Sequence, residues 1–420
     1  MKTYEVKIGH GVQRWESPYD FYVPQPKDMG FCGAAHSIEE ALDNPIASPS
    51  LEDLAKNAKN IVIVVPDVTR GWCNAPSMNA AVRRRIASVT AKPVTWIVGT
   101  GQHRAVEEKD KAFVFGGSLQ KGDTWLCHDC TKAVSTGLVT PSGTPVILNP
   151  VFLAADLVVL VGGIIFHDMA GFSGGRKLIL PAVSGRAAII ANHNHCLLNG
   201  DLNPATNAGL LEHNPMAIDQ HDYANLALKG KKCFLLNTVA NSQGKPAAWV
   251  AGDIWKAWEV GCDACRSFDS IYIPRKAARC ISSSGGFPFD LDLYQASKAM
   301  FSPMMAMEPG APVVLVADLE DSLGPGDFAD SLRWALKDPA GFAKHLETAF
   351  AIPGYIALRT VLEPRANPSA IVTSREDVLY PGKVFRTVAE ADAWLQDVSG
   401  LDGLSILVPS GNAIHVVAES

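Results

Sequence analysis

Short runs of valine and isoleucine recur along the first half of the chain. They occupy residues 60–66, 93–99, 144–149 and 156–163. Their unbroken apolar character is typical of strands that are buried on both faces. Helical stretches lie between them, among them Ala75–Val89 and Arg186–Leu198. This alternation predicts a mostly parallel sheet with helices on both sides.

The alternation restarts in the second half of the chain. Residues 251–268 form a predicted helix that Asp253 begins as N-cap. Further strands are predicted near 279–284, 312–318 and 370–373, with helices at Asp290–Met300, 327–349 and 387–397. The runs 404–408 and 413–418 can join either sheet. We therefore predict two α/β domains with mostly parallel sheets, at 1–265 and 266–420.

The composition agrees with a folded enzyme and limits its partners. A chain of 420 residues is too long for one ordinary core, and 47% hydrophobic with 19% charged residues is a well-packed composition. The formal charge of -6 gives no broad attraction for nucleic acid or an anionic membrane. An acidic substrate then requires local cations inside a pocket.

The cysteines and the absence of targeting signals favour the cytoplasm. The first residues have no apolar signal-peptide region, and no apolar run approaches the ~20 residues that span a bilayer. The nine cysteines show no disulfide-rich pattern. Two CxxC pairs, Cys127–Cys130 and Cys262–Cys265, could form a zinc site, although buried or surface thiols are the commoner outcome.

Two polar motifs follow predicted strands, where open α/β sheets bind their ligands. The first is Pro66-Asp67-Val68-Thr69-Arg70, whose Asp67 and Arg70 can hold a ribose, a phosphate or a carboxylate. The alternative is a helix cap at Asp67 with Arg70 on the surface. The second runs from Gly99 to Arg104 and places His103 at a strand exit, where a structural histidine is equally compatible.

A third motif, Phe166–Pro181, is richer. It contains His167, then Gly-Phe-Ser-Gly-Gly followed by Arg-Lys. Exposed amides at Ser173, Gly174 and Gly175 with adjacent cations have the composition of an anion cradle. Lys177 is a candidate phosphate clamp or covalent anchor. The alternative is a solvated turn, and the spacing is not that of a Walker A loop.

Two further motifs add polar side chains. His193 and His195 lie two residues apart on a predicted helix, so at most one of them faces the site. A Gly-Gly turn at 285–286 leads to Tyr294, Gln295 and Lys298. Tyr294 and Lys298 are four residues apart and share a helix face. This donor-rich face suits a carboxylate ligand.

The motifs occur in the order found in lactate racemase-like proteins, over about residues 60–300. They are DxTR, GxGxHR, HxxAGFSGGxKxIxP, Asn-His and GGxPxDxxxYQxxK. The resemblance implies an enzyme that racemises or epimerises a 2-hydroxy acid, with its active site in the cleft between two domains. It also implies a covalent cofactor, the nickel-pincer nucleotide (a pyridinium-3-thioamide-5-thiocarboxylic acid mononucleotide carrying nickel), made by dedicated maturation enzymes.

The resemblance also assigns roles to individual residues. Lys177 matches the lysine that binds the cofactor, and His193 matches the histidine that ligates nickel. His103 and His167 match the acid–base pair that flanks the substrate. The remaining matches are substrate-side residues and residues close to the cofactor, namely Arg70, Gln295 and Lys298 for the substrate and Asp67 and Tyr294 for the cofactor.

Hydride chemistry is physically coherent for such a substrate. The C2–H of a 2-hydroxy acid is poorly acidic because the carboxylate already carries negative charge, whereas loss of hydride gives a neutral ketone. Two histidines then provide one base for each enantiomer. The open alternatives are a zinc-dependent hydrolase that uses the same histidines and a non-catalytic nucleotide-binding protein.

The sequence departs from the family's pattern at two places. Gly71-Trp72 stands where proline is expected, and residues 349–357 lack an expected tryptophan. Both places could shape a pocket for the side chain of the substrate.

Overall fold

A computed structural model describes residues 1–25, 30–241, 244–324, 326–400, 402–412 and 414–419. It contains two compact units, each built from separate segments of the chain. The first unit comprises Asp28–Cys196 and Ala205–Phe268, and the second comprises Met1–Lys27, Leu197–Pro204 and Asp269–Ser420. The N-terminal segment therefore packs with the C-terminal half, whereas the sequence-based division placed it in the first domain.

The strands, in chain order, are β1 (Lys2–Ile8), β2 (Gly11–Ser17), β3 (Phe21–Tyr22), β4 (Ile61–Pro66), β5 (Thr95–Gly99), β6 (Thr124–Cys127), β7 (Val134–Val139), β8 (Pro145–Leu148), β9 (Leu157–Ile164), β10 (Phe166–His167), β11 (Gly171–Phe172), β12 (Leu197–Leu198), β13 (Asp201–Leu202), β14 (Lys232–Ala240), β15 (Pro246–Gly252), β16 (Ser270–Ile273), β17 (Arg279–Ser283), β18 (Val313–Val316), β19 (Ser369–Val372), β20 (Lys383–Phe385), β21 (Ser405–Val408) and β22 (His415–Ala418).

The α-helices are α1 (Ile38–Asp43), α2 (Leu51–Lys56), α3 (Ala75–Ala87), α4 (Lys111–Phe115), α5 (Pro150–Leu153), α6 (Arg186–His193), α7 (Pro215–Ala227), α8 (Lys256–Asp269), α9 (Leu293–Ala296), α10 (Lys298–Met305), α11 (Gly326–Lys337), α12 (Pro339–Thr348), α13 (Ile352–Leu362) and α14 (Val388–Ser399). In the part of the chain that the structure describes, no helix is long and apolar enough to cross a membrane.

The first unit is built on a six-stranded sheet in the order β15-β14-β9-β4-β5-β6. Its strands are parallel except for β15, which pairs antiparallel with β14. Along β4, Val62 and Val64 join one core cluster while Ile63 and Val65 join the other. Both faces of the sheet are therefore covered, which confirms the predicted mostly parallel α/β architecture.

Two elements of this unit differ from their sequence-based predictions. The run 144–149 forms β8, which pairs antiparallel with β7 in a hairpin outside the main sheet. A short apolar run cannot by itself identify its strand partner, so the pattern indicated a strand but not its sheet. The helix that begins at Arg186 ends at His193, and Asn194–Cys196 form a 3-10 turn.

The second unit contains a six-stranded parallel sheet in the order β20-β19-β18-β17-β21-β3. Its edge strand β3 comes from the N-terminal segment. The predicted run 404–408 forms β21 within this sheet, and β22 pairs with β16. Asp290, in the Gly-Gly motif, is buried and accepts hydrogen bonds from the backbone N–H groups of Gly9 and Asp318. That carboxylate joins the first hairpin to the turn that follows β17.

A buried ion pair ties α3 to the sheet of the first unit. Arg83 Nε and Nη2 lie 2.8 and 3.0 Å from the two carboxylate oxygens of Asp123, and both side chains are almost fully buried. Burial alone would raise the pKa of Asp123. The hydrogen bonds from Arg83 and from the backbone N–H groups of Gln120 and Val94 outweigh it and lower this pKa.

We predict that Asp123→Ala lowers the free energy of unfolding by about 3–5 kcal/mol, because Arg83 keeps a buried charge without its partner. Urea titration followed by circular dichroism measures the change. Glu108→Ala is the control, since its pair with Lys111 is exposed. The native contribution is complete above the ordinary aspartate pKa near ~4 and is lost as the pH falls below it. Equal unfolding midpoints for the two variants would contradict this assignment.

Candidate active site

The polar motifs of the first unit follow neighbouring parallel strands. Strands β9, β4 and β5 are adjacent, and Pro66 at the end of β4 pairs with Gly99 at the end of β5. Their carboxyl ends therefore meet at one edge of the sheet. The segments that begin at Asp67, Thr100 and Ile165 leave the sheet together at this edge.

Asp67 and His103 form a hydrogen-bonded pair at this edge. Asp67 Oδ2 lies 2.6 Å from His103 Nδ1, while Oδ1 accepts from the Thr69 amide at 2.9 Å and from its hydroxyl at 2.5 Å. Burial would raise the pKa of Asp67, but the hydrogen bonds from His103 and Thr69 bring it below its usual value. With Nδ1–H directed at the carboxylate, a neutral His103 ring carries its lone pair on Nε2.

The sequence left open whether Asp67 caps a helix or binds a ligand. The structure shows the cap, because Thr69 lies in the 3-10 turn Val68–Cys73 that Asp67 begins. It also shows that the second carboxylate oxygen orients His103. This is the arrangement in which a buried carboxylate fixes the tautomer of a catalytic imidazole.

His167 has the opposite hydrogen-bond polarity. It lies in the short strand β10, half-buried, and its Nδ1 accepts from the backbone N–H groups of Met169 at 3.2 Å and Ala170 at 3.3 Å. A neutral ring that accepts at Nδ1 carries its proton on Nε2. The two predicted acid–base histidines are therefore held in different tautomers.

The glycine-rich loop is packed tightly against the protein. The Ser173 hydroxyl donates to the Gly163 carbonyl and accepts from the Ile165 amide, both at 2.9 Å. Gly174 and Gly175 have positive φ, and a Cβ there would lie 2.5 Å from Asn237 Oδ1 and 2.6 Å from the Trp258 ring, respectively. The contacts of these three residues in the structure shape the turn that presents Lys177.

Sequence reasoning did not identify Asn237 and Trp258. Asn237 Oδ1 accepts from the Gly175 amide at 2.9 Å, and Trp258 Nε1 donates to the Ser173 carbonyl at 2.9 Å. Trp258 also stacks under the buried guanidinium of Arg176, at 4.2 Å. No local sequence signal marks these residues, because they reach the loop from β14 and α8.

Lys177 lies in the 3-10 turn Gly175–Leu178, where its side chain is half-buried and two arginines lie near its amine. Burial, followed by the charges of Arg176 and Arg70, lowers the pKa of Lys177 to about 7. A large fraction of the amine is therefore unprotonated near neutral pH. A neutral lysine amine is nucleophilic and can form a covalent bond.

His193 is buried at the end of α6, close enough to Lys177 for their charges to interact. Its Nδ1 lies 2.7 Å from the Ile189 carbonyl oxygen. Burial, and then the charge of Lys177, lowers the pKa of His193 to about 3. The ring is therefore neutral with its proton on Nδ1, and the Nε2 lone pair is the one that can ligate a metal.

A buried polar network holds the end of α6. Asp219 on α7 accepts hydrogen bonds from the hydroxyls of Thr140 (2.5 Å) and Thr144 (2.7 Å) and from Asn192 Nδ2 (2.8 Å). Asn192 precedes His193, so the network fixes the backbone that carries His193. His195 Nε2 lies 3.6 Å from Asp219 Oδ2, so His195 belongs to this network. Sequence reasoning did not identify the network.

Arg70 is exposed, with Nη1 2.8 Å from the Thr69 hydroxyl. Its backbone departs from helical geometry, with φ -114° and ψ 30°. Thr69 also donates to Asp67, so a hydrogen-bonded chain connects Arg70 with the Asp67–His103 pair. A cation beside an acid–base histidine suits a carboxylate-bearing ligand.

Tyr294, Gln295 and Lys298 lie together in the second unit. Asp292 caps the short helix α9 by accepting from the Gln295 amide at 2.7 Å. Lys298 Nζ lies 2.9 Å from Gln295 Oε1 and 4.5 Å from the centre of the Tyr294 ring. The predicted clustering of these three side chains is present, although two short helices divide the predicted single one at Ser297.

The cysteine pairs do not contribute a metal site within the described ranges. None of the nine cysteines, all of which lie in the described ranges, forms a disulfide, and Cys262 and Cys265 are buried in α8. In the residues that the structure describes, no three histidine, cysteine, aspartate or glutamate side chains are grouped as metal ligands. The zinc-hydrolase alternative therefore gains no support from the geometry.

The fold and the site define an α/β enzyme with two histidines held in different tautomers and a lysine whose pKa is lowered to about 7. Comparison with known proteins identifies its family. The lactate racemase N-terminal domain model matches residues 25–203, and the lactate racemase C-terminal domain model matches residues 274–352. The chain belongs to the lactate racemase family, and it is an isomerase of the racemase class.

Two lactate racemases illustrate the relationship. The protein from Lactiplantibacillus plantarum is 33% identical over 315 residues, which cover 73% of this chain and 71% of that protein. The protein from Thermoanaerobacterium thermosaccharolyticum is also 33% identical, over 309 residues that cover 72% and 70%.

Solved structures extend the comparison over the whole chain. The lactate racemase apoprotein from Thermoanaerobacterium thermosaccharolyticum has a TM-score of 0.82 and 26% identity, covering 99% of this chain and 100% of that one. A protein from Thermotoga maritima shares the fold, with a TM-score of 0.60 and 16% identity over 91% and 98% of the two chains.

We predict that Lys177 is acetylated by acetic anhydride at pH 7 far faster than exposed lysines. A pKa of about 7 leaves roughly half of the amine unprotonated, against roughly one part in 2,500 for an ordinary lysine. Peptide mass spectrometry after short pulses measures each rate. Arg70→Met should slow the reaction at Lys177, because it removes a positive charge that lowers this pKa. A rate at Lys177 equal to that of surface lysines would contradict the assignment.

Proposed function

We propose that this racemase inverts C2 of a 2-hydroxy acid by hydride transfer to a nickel-pincer nucleotide bound covalently to Lys177. The observation that carries the proposal is the proximity of two nitrogen groups, Lys177 and His193, whose pKa values are both lowered by burial. The pKa of Lys177 is about 7, and His193 is a buried neutral ring close enough to Lys177 for the two groups to interact. One side chain suits a covalent anchor, and the other suits a metal ligand.

The residues present fit such a group. The Lys177 amine can be acylated near neutral pH because much of it is unprotonated. His193 holds its proton on Nδ1 at the Ile189 carbonyl, so the metal-ligating lone pair would be that of Nε2, and neutral imidazole is a normal nickel ligand. When bound, the group supplies the acceptor for the C2 hydrogen as hydride. We also assign Ser173, Gly174, Gly175 and Tyr294 to its surroundings, as the resemblance implies.

We assign the hydroxyl proton of the substrate to His103. Its Nε2 carries the lone pair, and the buried Asp67 carboxylate at 2.6 Å stabilises the imidazolium that forms when Nε2 takes the proton. Asp67 is therefore a positioning residue for His103 in this proposal. This role differs from the cofactor contact that the resemblance implies.

His167 is assigned to the other face of the substrate. In the tautomer seen here its Nε2–H donates, so it can hold the substrate oxygen while His103 accepts the proton. To act as a base itself, His167 must protonate at Nδ1 and give up both backbone contacts. In this proposal the histidine pair is therefore in a protonation state suited to one enantiomer.

Arg70 is assigned to the carboxylate of the substrate, together with Gln295 and Lys298. Arg70 belongs to the hydrogen-bonded chain that leads to His103, which places a cation beside the base. Gln295 and Lys298 present an amide and an ammonium group side by side. A carboxylate held by cations keeps its position while the carbonyl turns between the two histidines.

The proposal also implies partners and a compartment. Covalent loading of Lys177 requires maturation enzymes that make and deliver the nucleotide. Nine cysteines that form no disulfide suit the reducing cytoplasm, where we place the protein.

Two variants test the assignment of Lys177 and His193, because loss of the organic adduct and loss of nickel can be measured separately. The protein is co-expressed with cofactor-synthesis enzymes, and intact mass and nickel content are measured. We predict that Lys177→Ala loses both the adduct and the nickel. His193→Ala should keep the organic adduct and lose the nickel, because anchor and ligand are different side chains.

The control is His213→Ala, since His213 is exposed, with 88% of its side chain accessible. It should retain the adduct and the nickel at wild-type levels. Full nickel occupancy in His193→Ala would remove His193 from the metal site. An unmodified wild-type chain that racemises a 2-hydroxy acid would overturn the proposed cofactor.

A further inference from the structure

A cavity of about 290 Å³ opens beside Asp67 and Arg70, at the end of β4. Its other walls are largely apolar and include Gly71, Pro76, Ala112, Phe113 and Val114. A water molecule occupies about 30 Å³ of liquid, and a methyl group is of similar size. The cavity therefore has room for a group much larger than a methyl.

One wall of the cavity is held firmly by the core. Val114 and Phe115 on α4 are buried, and Phe115 packs edge-on against Trp96 and Trp125. Asn79 Nδ2 donates to the Val114 carbonyl at 3.0 Å and fastens α4 to α3. Phe113 precedes these two buried residues and lies on the outer side of α4, where it is 53% exposed.

Gly71 makes room for the Phe113 ring. A Cβ at position 71 would lie 2.5 Å from Phe113 Cζ, so a side chain there would displace the ring from its present position. The φ angle of Gly71 is not in the left-handed region, so the backbone does not require glycine there. The absence of a side chain at Gly71 is what lets the aromatic ring lie over this residue.

We propose that this cavity binds the substituent on C2 of the substrate, and that this substituent is a bulky aromatic group such as benzyl. The inference rests on the proposed function, which assigns the carboxylate to Arg70 and the hydroxyl to His103; Arg70 and Asp67, the partner of His103, line the cavity. The exposed Phe113 ring offers a face or edge for a second ring. A substituent that itself carries a carboxylate is disfavoured, because Asp67 lines the same wall and would repel it. Arg70 cannot compensate, since the proposal already assigns it to the carboxylate next to C2.

The test compares 3-phenyllactate with lactate on the nickel-loaded enzyme. We expect kcat/KM for 3-phenyllactate to exceed that for lactate at least tenfold. Gly71→Val, which fills the cavity and displaces the ring, should lower that ratio at least tenfold. Phe113→Ala should lower it in the same direction and serves if Gly71→Val does not fold, as judged by circular dichroism.

Leu138→Ala is the matched control, because Leu138 is an exposed apolar residue that does not line the cavity. Its ratio should stay within twofold of wild type. A wild-type enzyme that prefers lactate, or a ratio unchanged in both folded variants, would overturn the cavity assignment and leave the proposed racemisation standing.

A binding measurement separates the two proposals. Calorimetric titration of 3-phenyllactate into the loaded protein should show binding that Gly71→Val weakens at least tenfold. If 3-phenyllactate binds and Gly71→Val weakens that binding, but neither 3-phenyllactate nor lactate is racemised, the cavity assignment is supported and the proposed chemistry is overturned. Equal affinity of wild type and Gly71→Val for 3-phenyllactate would overturn the cavity.

Discussion

The register of β4 against β5 is the constraint on which the acid–base site depends. It pairs Pro66 with Gly99, so the segments that begin at Asp67 and Thr100 leave the sheet side by side. The His103 amide then donates to the Thr100 carbonyl at 2.8 Å, which folds the chain back and brings the ring within 2.6 Å of Asp67. A shift of one residue would turn these side chains to the opposite face of the sheet and separate the pair.

The second requirement is an environment that disfavours the protonated, positively charged forms of Lys177 and His193. Desolvation lowers the pKa values of Lys177 and His193, and neighbouring cations lower them further. The packing of the glycine-rich loop on β14 and α8 positions the turn that carries Lys177.

Much of the site could be predicted from the sequence because its residues follow strands that local patterns reveal. The runs that became β4, β5 and β9 are continuous and apolar, and their polar successors include Asp67, His103 and His167. The environment of these residues could not be predicted. Asn237 and Trp258 shape the loop from distant elements, and the Asp219 network holds His193 through contacts across α6 and α7. The histidine tautomers depend on hydrogen bonds that no motif specifies.

The strand pairings show the same division between local and non-local information. The run 144–149 was recognised as a strand, but its partner β7 is exposed and lacks an apolar pattern. The packing of residues 1–25 with the C-terminal half rests on contacts such as that of Gly9 with Asp290, two residues that are separated by most of the chain. Local periodicity identifies elements, whereas partners across such distances are fixed only by the folded chain.

The fate of the hydrogen on C2 distinguishes hydride transfer from proton transfer. The loaded enzyme is run to equilibrium with a 2-hydroxy acid in deuterated water, and C2 is examined by proton NMR. If His103 and His167 handle only the hydroxyl proton, the C2 hydrogen leaves and returns as hydride and does not exchange with solvent. Hydride transfer therefore predicts that the C2 proton is retained through many turnovers and that C2-deuterated substrate reacts more slowly. Incorporation of solvent deuterium at C2 would contradict it and make the two histidines acid–base catalysts at carbon.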